Sequence, residues 1–340
     1  MRILLVSDAW LPQVNGVVTS LQALVAQLRD MGHWVKVISP ADFRCLPCPG
    51  YGEIGLAWNL WRLGPMIREF RPDCVHIATE GPLGWAARGW LRRRGLLFTT
   101  ALHTRFADYV KARWPWLPLR LGIAYLRCFH RPSQAILVST PRLQEECLSW
   151  GLGQASLWHK GVDSQLFHPG SPAAAESPLF LYVGRLAAEK NLSAFLELDL
   201  PGRKCVVGDG PQRTALQQAY PQVEFRGYLQ GQALADAYRQ ASVLVFPSRT
   251  DTYGLVMLEA MACGTPVAAF AVPGPLDIVQ QGVTGYLADD LAEACLAAVQ
   301  LDRQDCARWA ATLGWRSSAE VFLAAQQRLE GDPLGQWQVV

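Results

Sequence analysis

Ser248-Arg-Thr-Asp-Thr-Tyr-Gly-Leu-Val-Met-Leu-Glu-Ala-Met-Ala-Cys-Gly-Thr-Pro-Val267 is the stretch on which the reading of this chain turns. The run before it, Val243-Leu-Val-Phe-Pro247, has the length and β-branching of a buried strand and is ended by proline. Gly254 permits a tight turn, and Leu255 to Cys263 reads as a helix built from good helix formers with apolar residues on nearly every face. Gly264 stops that helix, Pro266 prevents its continuation, and Val267-Ala-Ala-Phe270 is the next strand. The stretch is therefore a strand–loop–helix–strand unit of a parallel α/β sheet. In such sheets the loop and the free amides of the helix start face the carboxyl edge, where ligands bind and anions are favoured.

Two carboxylates stand beside this expected anion site, Asp251 in the loop and Glu259 in the helix. A carboxylate is a poor neighbour for phosphate but a good acceptor for the paired hydroxyls of a ribose or a hexose. Phosphate-binding amides next to diol-binding carboxylates point to a nucleotide sugar.

Working outward, the 340-residue chain is long enough for two domains with sizeable cores, and 50% hydrophobic against 18% charged is a globular balance. Met-Arg-Ile-Leu-Leu-Val-Ser-Asp8 turns polar too soon for a signal peptide, and no apolar run reaches the roughly 20 residues a bilayer span needs. The nine cysteines are odd in number and scattered, as expected of reduced thiols in the cytoplasm, and Cys45-Leu-Pro-Cys48 reads as a loop. The net charge of +2 hides an asymmetry: residues 1–160 carry 19 Lys and Arg against 10 Asp and Glu, and the remainder 12 against 19. A partner that seeks basic surface belongs to the first half.

That half opens with a strand over residues 2–7, a loop from Asp8, and a helix from Val17 to Asp30, with Gly16 placed for close backbone approach to a phosphate. Later strands end at the loop Thr79-Glu80-Gly-Pro-Leu-Gly84 and at His103-Thr-Arg105-Phe. Between Gly84 and Arg131 the only acid is Asp108, while Arg92, Arg93, Arg94, Arg105 and further basic residues alternate with Trp85, Trp90, Trp114 and Trp116. This composition suits an anionic bilayer surface, and no nucleic-acid-binding motif accompanies it. Gly170 to Pro178 reads as a domain linker. The second half starts with the strand Leu179–Val183, then Gly184-Arg185-Leu-Ala-Ala-Glu-Lys190, a fork and a point charge fit to hold a diphosphate.

These motifs carry a resemblance. Asp251-x7-Glu259 followed by Ala-Met-Ala-Cys-Gly-Thr-Pro-Val resembles the acidic motif of family-4 retaining glycosyltransferases of the GT-B fold, usually Glu-x7-Glu. Pro12-Gln-Val-Asn-Gly16, His76-Ile-Ala-Thr-Glu80-Gly-Pro-Leu-Gly84, His103-Thr-x-Phe106-x-x-Tyr109, Tyr125-Leu-Arg-x-Phe-His130, Gly161-Val-Asp163-x-x-x-Phe167-x-Pro169 and Val272-Pro-Gly-Pro-Leu-Asp277 narrow it to one branch. That branch holds sulfoquinovosyl- and glucosyl-diacylglycerol synthases and GDP-mannose-dependent α-mannosyltransferases.

The resemblance implies an α/β GT-B architecture: two Rossmann-like domains whose parallel sheets face an inter-domain cleft. Residues 1–169 are then the acceptor domain, 170–312 the nucleotide-sugar domain, and 313–340 a helix crossing back to the first. It further implies transfer of a hexose, with retention, to a membrane lipid, diacylglycerol in the first instance, at the inner face of the cell membrane. Arg185, Lys190 and the amides near Tyr253, Gly254 and Leu255 would hold the diphosphate with no metal, Asp-x-Asp being absent. Asp251 would bind the transferred sugar, Glu259 the ribose, Leu229 the base, and His103 the sugar near its reacting carbon. Gly16 completes the donor set. Glu80, Arg92, Arg93, Arg94, Arg105, Trp114 and Trp116 are the acceptor or membrane candidates. After the base-binding strand, Tyr228-Leu-Gln-Gly-Gln232 has no carboxylate to meet the donor-rich edge of guanine, which favours UDP. The alternatives are a GDP-mannose-dependent mannosyltransferase acting on a glycolipid or polysaccharide precursor, and a non-catalytic nucleotide-sugar-binding protein.

Overall fold

A computed structural model describes residues 1–13, 15–48, 51–103, 118–170, 177–251 and 253–326. The chain forms two compact units, Met1–His159 with Trp315–Val340, and Lys160–Gly314.

The first unit is built on β1 (Arg2–Val6), α1 (Gly16–Asp30), β2 (Trp34–Ile38), β3 (Cys45–Cys48), β4 (Tyr51–Ala57), α2 (Leu63–Phe70), β5 (Cys74–Ile77), α3 (Pro82–Arg92) and β6 (Thr99–Leu102). It continues with α4 (Leu119–His130), β7 (Ile136–Val138), α5 (Pro141–Ser149) and β8 (Ala155–Leu157). Six strands pair in parallel in the order β2-β1-β5-β6-β7-β8. Alternate side chains of β1 serve two cores: Leu4 and Val6 pack with Val75, Ile77 and Leu83 on one face, Ile3 and Leu5 with Leu21 and Leu24 on the other. A strand covered on both faces reads as an unbroken apolar run, which is why β1 was legible. Strand order reverses between β1 and β5, and the loops leaving these two strands bound the ligand crevice expected of such a sheet.

The second unit contains β9 (Leu179–Val183), α6 (Ser193–Leu196), β10 (Arg203–Val207), α7 (Arg213–Ala219), β11 (Glu224–Gly227), α8 (Gly231–Gln240), β12 (Val243–Phe246) and α9 (Leu255–Ala262). Then follow β13 (Val267–Phe270), α10 (Pro275–Ile278), β14 (Gly285–Ala288), α11 (Leu291–Ala298) and α12 (Arg303–Ala310). Its parallel order, β11-β10-β9-β12-β13-β14, is that of a Rossmann sheet, with the switch point between β9 and β12. Strand ends approach closely here. A Cβ on Gly208 would lie 1.8 Å from the Gly184 carbonyl oxygen, so only glycine fits after β10.

Helix α13 (Trp315–Ala325) belongs to the first unit, with Ala319 and Phe322 in the same core as Leu21 and Leu24. The fully buried Phe322 side chain contributes about 1.5–3 kcal/mol to that attachment. The indole N–H of Trp158 donates to Ser318 Oγ at 3.0 Å.

Two expectations are corrected. The first boundary lies at His159–Lys160, not after Pro169. Residues 160–169 are held by the second unit: Val162 N–H donates to the Leu313 carbonyl, and Arg239 donates to the carbonyls of Leu166 and His168, both at 2.9 Å. No change in composition marks that anchoring. Cys45–Cys48 is not a loop but one strand of an antiparallel hairpin with β4, a pairing set by its partner strand and not by its own pattern.

Candidate active site

The loops leaving β9 and β12 meet at the second unit's switch point. Lys190 Nζ donates to Asp251 Oδ1 at 2.6 Å, joining the two loops, and both side chains are only about a quarter exposed. Asn191, in the left-handed region with φ 54°, donates its side-chain amide to the Pro247 carbonyl at 3.1 Å and fixes the same junction. Arg185 is half-buried in the first of these loops, and its carbonyl accepts the Tyr182 hydroxyl at 2.9 Å.

Asp251 Oδ2 is buried and has no hydrogen-bond partner among the described residues. Such an oxygen costs about 1–3 kcal/mol, which a hydroxyl donor from a ligand would recover. The sequence assigned Lys190 to a diphosphate and Asp251 to a sugar; the structure brings them into one ion pair.

Helix α9 starts at Gly254, whose φ of 73° suits glycine and whose Cβ, if it had one, would meet Met257 Cε at 2.9 Å. Among the described residues no side chain caps this start, so its first amides stay available to an anion. Leu255 and Tyr253 are half-buried there, and the backbone N–H of Lys160 donates to the Tyr253 hydroxyl, whose pKa burial pushes up to about 12.

Further along α9, Glu259 Oε2 accepts the hydroxyl of Tyr238 at 2.7 Å. Burial pushes the Glu259 carboxyl up to about 7, and the Tyr238 bond opposes that rise only in part. Tyr238 comes from α8 and was not singled out in the sequence, because no local pattern links it to Glu259. Leu229 follows β11 and is half-buried against the same core.

The first unit's switch point is organised differently. Asp8, after β1, accepts from Leu83 N–H at 2.8 Å, Gly84 N–H at 3.2 Å and the Thr79 hydroxyl at 2.9 Å. It thereby caps α3 from another strand, with burial raising its pKa and those bonds opposing the rise. Glu80, after β5, places Oε1 3.3 Å from Nε2 of the fully buried His130, whose Nδ1 lies 2.9 Å from Thr100 Oγ1. The Tyr125 hydroxyl donates to the Glu80 carbonyl. His103 follows β6, its ring edge-on to Trp158 at 5.7 Å.

Gly16 is not ahead of α1 but its first residue, and Asn15 Oδ1 already accepts the N–H groups of Val17 and Val18 at 3.0 Å each. Trp85 and Trp90 are half-buried and packed against protein. Trp85 donates to the Tyr125 hydroxyl at 2.7 Å, and Trp90 lies against Gly64 with the Arg94 guanidinium 4.1 Å above its ring. Arg92 and Arg93 are exposed at the end of α3. Arg105, Trp114 and Trp116 lie outside the described residues.

Two family models match successive parts of this chain: glycosyltransferase family 4 over residues 14–166, and glycosyl transferases group 1 over residues 177–301. A sulfoquinovosyl transferase of Arabidopsis thaliana is 32% identical over 81% of this chain, which spans only 61% of that relative's length. A GDP-mannose-dependent alpha-mannosyltransferase of Mycobacterium tuberculosis is 30% identical over 84% of this chain and 83% of its own. Among solved structures, the sucrose-phosphate synthase from Thermosynechococcus elongatus superimposes with a TM-score of 0.77 at 21% identity, covering 95% of this chain and all of that one.

The fold is GT-B, and the protein is a nucleotide-sugar-dependent glycosyltransferase. The chain belongs to glycosyltransferase family 4, whose transfer is retaining. Among the described residues, no helix is long and apolar enough to cross a membrane.

Proposed function

We propose that this glycosyltransferase moves a hexose from a UDP-sugar to a membrane glycerolipid, with diacylglycerol as the acceptor. The observation that carries the donor half is the Lys190–Asp251 pair at the switch point, with Asp251 Oδ2 still unpaired. An arriving sugar hydroxyl satisfies that oxygen, while Lys190, Arg185 and the uncapped amides of α9 take the charge that grows on the departing diphosphate. Glu259 accepts from the ribose diol, and Leu229 lies under the base. The acceptor hydroxyl attacks the anomeric carbon on the face from which the diphosphate leaves, its proton passing to the leaving oxygen, and His103 touches the sugar near that carbon. No metal enters this scheme.

The lipid acceptor rests on the basic balance of residues 1–160 and on the likeness to a sulfoquinovosyl transferase. Basic residues near an anionic surface each contribute about 1 kcal/mol, so the exposed Arg92 and Arg93 with their neighbours suffice for reversible docking on a cytoplasmic leaflet. One observation favours a second reading, transfer of mannose from GDP-mannose: the relative of that name is matched over 83% of its length, the sulfoquinovosyl transferase over 61%.

Incubation of the pure protein with a panel of labelled nucleotide sugars and a total lipid extract decides between them. Label from a UDP-sugar in the diacylglycerol product is expected, whatever chelator is present. Label only from GDP-mannose supports the second reading, and donor binding with no transfer or hydrolysis would overturn both.

A further inference from the structure

The basic residues of the first unit are not spread evenly. Arg88 and Arg92 lie one turn apart on α3, Arg127 and Arg131 one turn apart at the end of α4, and the four line one cavity of about 490 Å³. Its remaining lining is neutral, Ala124 and Pro132 included, and no carboxylate is part of it.

Two of these arginines already have work. Arg88 is buried, stacks 4.8 Å from Trp85 and donates to the carbonyls of Phe129 and Cys128, tying α3 to α4. Arg127 uses Nε on the Trp150 carbonyl at 2.9 Å, and its side chain is otherwise exposed. Arg92 and Arg131 are exposed and make no hydrogen bond or ion pair among the described residues. Repulsion within each one-turn pair is a standing cost to both helices. Desolvation, then the charge of Arg92, pulls the Arg88 pKa down.

The cavity also lies away from the transfer chemistry of its own sheet. Arg92 and Arg131 close helices whose chain next runs into β6 and β7, which places them toward the amino edge. Glu80 and His103 instead follow the carboxyl ends of β5 and β6.

We propose that this cavity is a phosphate-group site, in which Arg92, Arg131 and the free face of Arg127 bind a phosphomonoester. Several arginines around one cavity suit a dianion better than a single carboxylate, and the planar fork pairs with phosphate oxygens two at a time. The volume exceeds what a bare phosphate fills and falls in the range of small-ligand pockets, leaving room for a short polyol on the phosphate. Such a group comes either on a soluble polyol phosphate or on the headgroup of an anionic lipid. The site requires neither a sugar donor nor a lipid acceptor, so it stands or falls apart from the transfer reaction.

The test titrates the 340-residue chain with inorganic phosphate and glycerol 1-phosphate by calorimetry. Co-sedimentation follows, with phosphatidylcholine vesicles with and without phosphatidic acid. Three proteins are compared: wild type, Arg92→Gln with Arg131→Gln, and Arg93→Gln with Arg94→Gln. Unchanged thermal unfolding and UDP affinity check that each variant is folded.

The site predicts at least tenfold weaker binding in the Arg92/Arg131 variant and a much smaller loss in the Arg93/Arg94 variant. Binding of glycerol 1-phosphate assigns a soluble ligand, and binding confined to phosphatidic acid vesicles assigns a lipid headgroup. Equal losses in the two variants would show diffuse surface charge and no pocket, and no binding of any probe by wild type would overturn the site outright.

Discussion

Both units carry a parallel sheet with a switch point, and both set carboxylates and a helix start beside it, yet Asp8 after β1 and Asp251 after β12 are used in opposite ways. In the first unit Asp8 is saturated by Thr79 and the amides of α3 and Asn15 caps α1, while Glu80 Oε1 lies 3.3 Å from Nε2 of buried His130 without a hydrogen bond among the described residues. In the second unit α9 begins on an uncapped glycine and Asp251 keeps a buried oxygen unpaired. A carboxylate answered on both oxygens, as Asp8 is, belongs to a shaped wall. A carboxylate with one buried oxygen unpaired among the described residues, as Asp251 has, carries a free-energy cost that a ligand hydroxyl relieves. The contrast matches the chemistry proposed above, a neutral hydroxyl acceptor on one unit and a diphosphate leaving group on the other.

The largest expected effect concerns the leaving group. Removing one preorganised charge donor from a developing anion typically lowers turnover by about 10²–10³. Arg185→Ala and Lys190→Ala should each lower kcat by that order with a smaller rise in donor KM, because the charge they meet grows in the transition state. Arg185→Lys keeps the charge but loses the fork, and a drop of about tenfold or more is expected. Steady-state kinetics on the labelled donor reads this. Full activity in Arg185→Ala would remove that residue from the site and leave the second crevice without its clamp.

The contrast itself can be broken by the same substitution made on each side. Asp8→Asn withdraws a carboxylate that satisfies three donors at a helix start, so it should cost about 1–3 kcal/mol of stability and leave donor KM alone. Asp251→Asn removes an unpaired buried oxygen along with a partner of Lys190; its stability loss should be the smaller, its loss of turnover the larger, and its effect should differ among donor sugars. Thermal unfolding and kinetics on both variants settle it. If Asp8→Asn loses activity without losing stability, the first crevice is not a closed wall.

What could be read without coordinates follows from where the determining interactions lie. Leu179–Val183 and Val267–Phe270 have the bounds their apolar runs indicated, since a strand buried on both faces carries its signal within itself. The short strands Ile136–Val138 and Ala155–Leu157 went unread because three residues hold no period. Gly254, Asp251 and Glu259 were legible as a motif, but not their partners. Tyr238 meets Glu259 through packing of one helix on another, and Asp8 meets Leu83 across two strands. The tryptophans of residues 85–90 looked interfacial by composition, which cannot report that Tyr125 and Gly64 already cover them.

The smallest expected effect is a proton. Glu259 has its pKa raised from 4.5 to about 7, chiefly by burial. Between those values the folded chain keeps a proton that the unfolded chain has released. Stability from this group is therefore full below about 4.5 and falls as pH rises toward 7. Glu259→Gln, free of that penalty, should unfold at a higher temperature than wild type at pH 8 and lose the advantage as pH falls to about 4.5. Ligand binding runs the other way. A ribose diol donates its hydrogens, so UDP prefers the carboxylate, and donor KM should rise in wild type as pH falls from 8 to 6 while Glu259→Gln stays flat. Because the group is about half ionised near pH 7, UDP binding there should release roughly half a proton. Calorimetry in buffers of different ionisation enthalpy measures that release directly. A proton count of zero with a flat wild-type profile would mean that Glu259 never meets the nucleotide, and that its bond to Tyr238 serves the fold alone.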